Sequence, residues 1–215
     1  RKVTDGQYDV TDVYGYDEQT GATYYQAAGK NPMNREVYVT YKNGKTECLT
    51  SRDGWNIAVF SADYKYFVNQ WSDRNTPYEY GIFNNSGRET VSLITNSELK
   101  KTLAEYDLPS KEFFSFKTSE GVQLNGVMIK PANFDASKKY PVIMWQYSGP
   151  GSQQVVNSWN IGSMGQGALL DQYLVQQGFI LVCVDGRGTG ARGADFEKCT
   201  YLKIGDLESK DQVET

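Results

Sequence analysis

Histidine is missing from all 215 residues. That removes the ordinary general base from any hydrolytic reading, because a serine hydroxyl with no base beside it is too weak to attack an amide. No G-x-S-x-G occurs either, so the strained turn that presents a nucleophilic serine is not found here and a complete Ser-His-Asp machine is excluded from these residues. Cysteine is scarce: Cys48, Cys183 and Cys199 form no C-x-x-C, which gives no support to a zinc site or a dense disulfide framework and leaves the compartment open. No apolar run approaches the roughly 18 residues that a membrane span needs. The net charge of −4 offers no basic patch to neutralise a row of phosphates, so nucleic acid is excluded as a partner. An initiator methionine and a signal-peptide pattern are also lacking at Arg1-Lys2-Val3-Thr4, and the expectation is that the true N-terminus lies upstream or was removed.

What is present is the composition of a soluble globular protein, 39% hydrophobic and 22% charged, with room for one large domain or two small ones. From Tyr8 to about Thr95 short alternating stretches rich in Tyr, Val, Thr and Phe are separated by turn clusters such as Asn43-Gly44 and Asn84-Asn85-Ser86-Gly87, the pattern of antiparallel hairpins. The run repeats. Ala22–Ala27, Glu36–Tyr41 and Thr46–Thr50 match Tyr64–Gln70, Tyr78–Phe83 and Glu89–Thr95 at a period of roughly 45 residues, which suits four-stranded propeller blades. Trp55–Ser61 opens the second unit as Tyr8–Tyr14 opens the first. Two blades cannot close a propeller, which needs roughly 4–8. The many tyrosines, Tyr24, Tyr25, Tyr38, Tyr64, Tyr66, Tyr78 and Tyr80 among them, read as strand packing.

After Thr95 the character changes. Ser97 can cap a short helix through Glu105, and Asp107-Leu108-Pro109-Ser110 stops it. The expected division is therefore blades over 1–96, a linker helix and turn over 97–110, and an α/β segment over 111–215. In the last, Phe113–Phe116, Val122–Lys130 and Tyr140–Tyr147 read as strands, a helix follows near Ala168–Gln177, and Phe179–Val184 is an uninterrupted apolar run. A strand apolar on both faces and preceded by a helix implies a parallel sheet covered on both sides.

Tyr140 to Gly151 reads as a buried strand running into a loop too rich in Gly and Pro to continue as helix or ladder, and strand-end loops are where α/β sheets build their sites. From the residues alone Tyr147 is either a packed aromatic with a satisfied hydroxyl or a functional phenol. Ser148 and Ser152 read as loop serines that bond backbone, since neither has a base to activate it. Gly188-Thr-Gly190-Ala-Arg-Gly193 is formally a G-x-G-x-x-G with Asp206 downstream. A dinucleotide site would need a second strand to carry that acid to a ribose, and none is visible between Gly193 and Asp206.

Lys138-Lys139-Tyr140-Pro141, Tyr147-Ser-Gly-Pro150 and Asp185-Gly-Arg-Gly-Thr-Gly190 stand in the order and approximate spacing of the dipeptidyl peptidase IV branch of the prolyl oligopeptidase family. The resemblance extends upstream through Leu108-Pro-Ser-Lys111 and the blades, and downstream to Gly205-Asp206 and Asp211-Gln-Val-Glu214. It implies the last blades of an antiparallel β-propeller followed by part of an α/β-hydrolase domain, stopping short of the nucleophile elbow. It implies that Tyr147 lends its hydroxyl to an oxyanion hole, that Asp185 and Arg187 form an internal ion pair or hydrogen-bonded loop brace, and that no cofactor is needed. The nucleophilic Ser and the later Asp and His, like the paired Glu residues that hold the substrate ammonium, are expected outside this chain. Further implications are removal of N-terminal dipeptides with Pro or Ala at the second position, a homodimeric parent, and a periplasmic or cell-surface location. The chain by itself is expected to be inactive. Two alternatives stay open: an acylaminoacyl peptidase or oligopeptidase of the same family, and a non-catalytic propeller module with a vestigial hydrolase domain.

Overall fold

Turn chemistry sets the strands of the first half. Asn43-Gly44 closes a hairpin in which Gly44 takes the left-handed conformation at φ 86°, and the Asn43 side chain accepts from the Lys45 amide at 3.0 Å. At the corresponding place in the next unit, Asn84 Oδ1 accepts from the amides of Ser86 and Arg88 at 3.1 and 3.0 Å. The structure, a computed structural model, describes residues 2–4, 8–159 and 168–215. Arg1, on which the expectation about the N-terminus begins, lies outside them. Two compact units result, one comprising residues through 99 with 157–159, the other residues 100–156 with 160–215.

The first unit holds two four-stranded antiparallel meanders in sequence order. Strands β1 (Asp9–Asp17), β2 (Ala22–Ala28), β3 (Glu36–Thr40) and β4 (Thr46–Cys48) form one, and β5 (Trp55–Phe60), β6 (Tyr66–Ser72), β7 (Glu79–Asn84) and β8 (Glu89–Ile94) the other. Alternation drives Tyr24, Val37, Val39, Leu49, Ala58 and Phe67 into one core, where the Phe60 ring lies 4.6 Å from Tyr24 and 4.9 Å from Phe67. A buried polar seam also joins the sheets: Asn56 Nδ2 donates to the Arg35 carbonyl at 2.8 Å while Gln26 Nε2 donates to the Asn56 carbonyl at 2.6 Å. Asn157–Trp159, which the sequence assigns to the α/β segment, belongs to this unit. The Asn157 amide donates to the Met33 carbonyl at 2.8 Å, and its side chain meets Asn34 at 3.0 Å.

In the second unit, after helix α1 (Ser97–Ala104), β9 (Lys111–Lys117) and β10 (Gln123–Ile129) form a hairpin, followed by β11 (Val142–Met144), helix α2 (Ala168–Gln176), β12 (Ile180–Asp185), and helices α3 (Ala194–Lys198) and α4 (Asp206–Val213). The sheet order is β11-β12-β10-β9. Leu124, Val182 and Val184 pack on one side with Phe114 and Phe116, and Ile129, Val175 and Leu181 on the other with Leu174 of α2. Both faces of β12 are thus covered, as its unbroken apolar run requires.

Two expectations are corrected. In the second unit, among the described residues, β11 and β12 alone pair in parallel, across the crossover through α2, whereas β10 is antiparallel to both β9 and β12. A tight turn joins β9 to β10, with the Gly121 amide donating to the Thr118 carbonyl at 2.8 Å, and so short a link permits only antiparallel pairing. The buried strand expected over Tyr140–Tyr147 is instead a short edge strand, with Val142 58% exposed, because β12 is its single neighbour among the described residues. No helix among the described residues is long and apolar enough to cross a membrane.

Candidate active site

Parallel pairing of β11 with β12 brings their C-terminal ends to the same edge of the sheet, the position at which open α/β sheets build sites. Two glycine-rich loops emerge there. The first carries Tyr147 and runs to Val156; the second runs from Asp185 to Gly190. They touch through backbone, with the Gly151 amide donating to the Gly188 carbonyl at 3.2 Å and the Gly190 amide to the Ser152 carbonyl at 2.8 Å. A Cβ on Gly190 would sit 2.8 Å from the Gly151 carbonyl oxygen, so this approach requires glycine.

Tyr147 is 64% exposed and belongs to none of the three core clusters. Its ring lies over Gly149, where an added Cβ would meet Cε1 at 3.0 Å and the hydroxyl oxygen at 3.2 Å. Of the neighbouring serines, Ser148 Oγ donates to Gln146 Oε1 at 2.5 Å and accepts from Gln212 Nε2 at 3.5 Å, and Ser152 Oγ donates to the carbonyls of Tyr147 and Gly149 at 3.0 and 2.5 Å.

Asp185 and Arg187 do not pair with each other. Asp185 is buried and accepts from the amides of Gln154, at 3.0 and 3.2 Å, and Val155, at 2.8 Å. Burial pushes its carboxyl up to about 6, against the opposing pull of those amides and of Arg192. Arg187 turns the other way and forks onto Asp211 of α4, with Nε at 3.0 Å and Nη2 at 2.6 Å from Oδ1, while its backbone amide donates to Oδ2 at 2.7 Å. Glu120 takes Nη1 at 2.7 Å and is itself bonded by Lys210 at 2.5 Å. The two side chains therefore bond separate segments, Asp185 the Tyr147 loop and Arg187 α4.

Asp211, fully buried at 0% exposure, is the residue that reasoning from pattern missed. The one signal for it was the Asp211-Gln-Val-Glu214 match, since α4 has no apolar stripe to reveal which face is inward. Gly193 opens the five-residue α3 without a side-chain cap, and Asp206 begins α4 with no strand between them. The glycine pattern thus lacks the strand–turn–helix context of a dinucleotide site.

Comparison with known proteins gives a consistent picture. A family profile described as "Dipeptidyl peptidase IV (DPP IV) N-terminal region" matches residues 1–78, and one described as "Prolyl oligopeptidase family" matches residues 169–215. The probable dipeptidyl peptidase 4 of Emericella nidulans is 30% identical over 98% of this chain and 27% of its own length, and the dipeptidyl peptidase 4 of Trichophyton equinum is 31% identical over the same shares. The crystal structure of Porphyromonas gingivalis dipeptidyl peptidase 4 superposes with a TM-score of 0.91 at 40% identity, covering 100% of this chain and 29% of that one. A putative dipeptidyl aminopeptidase IV from Bacteroides ovatus gives 0.84 at 28% identity, over 99% and 30%. The chain spans between 27% and 30% of the length of these relatives. Blades, α/β sheet and both glycine-rich loops lie within the matched stretch, and together these matches support a fragment of the dipeptidyl peptidase IV branch of the prolyl oligopeptidase family.

Proposed function

We propose that this chain is the stretch of a serine exopeptidase that supplies the side-chain donor of the oxyanion hole, Tyr147, and the loops that carry it. The parent enzyme releases N-terminal dipeptides with Pro or Ala at the second position, acts as a homodimer, and works in the periplasm or at the cell surface. A serine outside these residues attacks the scissile carbonyl, and the Tyr147 hydroxyl donates a hydrogen bond to the oxygen as negative charge develops on it. Asp185 and Arg187 touch no substrate and brace the loops.

The observation that carries this reading is the exposed phenol just beyond the C-terminal end of β11, beside the loop that follows the parallel strand β12. An exposed donor on a loop bonded to the neighbouring strand and loop suits stabilisation of a transient oxyanion. The test is Tyr147→Phe in the full-length enzyme, assayed on Gly-Pro-p-nitroanilide. Loss of one oxyanion donor lowers kcat by roughly 100- to 1,000-fold and leaves KM nearly unchanged, because the bond forms only with the charge. An unchanged kcat would overturn the assignment.

A further inference from the structure

Among the described residues nothing holds the Tyr147 ring by its own hydroxyl. The phenol bonds no other residue among those described, and the ring is 64% exposed, so its position is set by whatever fixes the loop backbone beneath it. That backbone is pinned at both ends. At entry the Trp145 amide donates to the Val182 carbonyl at 3.1 Å, continuing the β11–β12 ladder. At exit the amides of Gln154 and Val155 both converge on the buried carboxylate of Asp185. Between the pins, Ser152 Oγ bridges the carbonyls of Tyr147 and Gly149, and the ring rests on the bare backbone of Gly149.

A carboxylate is suited to the exit pin. Two amides point at one buried acceptor, and a carboxylate serves both with two oxygens and no donor of its own to face them. Such amide-to-carboxylate bonds are stronger than neutral ones. Arg192 faces Asp185 electrostatically without bonding it; its Nη1 is committed to the Gln123 carbonyl at 2.6 Å. The carboxylate's direct partners are therefore the two loop amides.

We propose that Asp185 is a positioning residue for the reaction: by holding the Gln154 and Val155 amides it sets, through Ser152 and over Gly149, the place where the Tyr147 hydroxyl stands. This rests on the reading of Tyr147 as the oxyanion donor, and it goes beyond a general brace by requiring that loss of the carboxylate move the phenol.

The test uses this chain with 13C-labelled tyrosine rings and, in parallel, the full-length enzyme. Asp185→Asn keeps the shape but turns an N–H donor toward an amide that needs an acceptor. Expected results are amide exchange at Gln154 and Val155 at least about 10-fold faster and displaced Tyr147 ring resonances, with those of Tyr140, Tyr173 and Tyr201 in place. Ser152→Ala, which leaves the Asp185 pin intact, moves the Tyr147 signal while both amides stay protected, and it serves as the test should Asp185→Asn fail to fold. In the enzyme, Asp185→Asn lowers kcat by roughly 10- to 100-fold, the scale of an ångström of misplacement, with KM unchanged, and it adds nothing in the Tyr147→Phe background. Faster exchange with an unmoved Tyr147 signal, or an unmoved signal in Ser152→Ala, would overturn the proposal. If Tyr147→Phe itself costs nothing, the oxyanion reading fails, while the ring signal still reports independently on whether Asp185 places the phenol.

Discussion

Replacing Arg187 by methionine keeps most of the stem and removes the fork that serves Asp211. The carboxylate it leaves behind is 0% exposed and would retain one bond, from the Arg187 backbone amide at 2.7 Å, in place of the guanidinium contacts at 2.6 and 3.0 Å. An uncompensated buried charge of this kind costs about 3–5 kcal/mol, a large part of the stability of a small unit. Removing the outer member gives a contrasting result: Glu120 is 41% exposed on its side chain, and Glu120→Gln should be nearly silent. Arg187→Met/Asp211→Leu removes both buried charges and should recover much of the loss, giving a coupling of at least about 2 kcal/mol in the double-mutant cycle. Urea unfolding read from the β12 amide resonances measures all four proteins. Arg187→Met within about 1 kcal/mol of wild type, or a double variant no better than the sum of the singles, would refute a buried, charge-assisted brace.

The Asp185 carboxyl, raised from 3.8 to about 6 in the fold, binds its proton more tightly folded than unfolded; the stability it contributes is complete below pH 3.8 and is lost as pH rises through about 6, and 1.36 kcal/mol per unit makes the loss about 3 kcal/mol. Unfolding free energies of wild type minus Asp185→Asn, measured from pH 3.5 to 7.5, should fall by that order, and a flat difference would contradict the burial argument. Gly126 pairs across the hairpin with Phe114, whose ring would lie 2.2 Å from an added Cβ, so Gly126→Ala should destabilise by about 1–3 kcal/mol through overpacking. Phe114→Leu in the same background should restore part of the loss in thermal unfolding.

The blades were legible to within a few residues, because two independent codes agree there. Alternation assigns each side chain to a face, and Asn43-Gly44 and Asn84–Gly87 fix where each hairpin turns, so the expected Trp55–Ser61 and Glu89–Thr95 became Trp55–Phe60 and Glu89–Ile94. Neither code operates on Asn157–Trp159. Its place in the first unit rests on bonds to the Met33 carbonyl, Asn34, Ser72 and Arg74, and backbone or small polar partners far away in sequence leave no period to read. The same holds for Arg187 and Asp211, 24 residues apart on a loop and a polar helix.

β11 shows a different limit. Its apolar residues state what the strand can be covered by, whereas exposure depends on whether a neighbour is present, and the sheet order leaves one long side of β11 without a partner among the described residues. A strand added there in parallel would end beside Tyr147, since parallel strands bring their C-terminal ends to one edge. What the sequence could not give was the separation of Asp185 from Arg187. Two charges two residues apart invite pairing, yet the chain turns at Gly186, where a Cβ would meet that of Asp211 at 3.2 Å. The turn sends one charge back to the Tyr147 loop and the other forward to α4. The close approach of Asp211 to Gly186 leaves little room for a side chain between the two charges, and each finds its partners on a different segment.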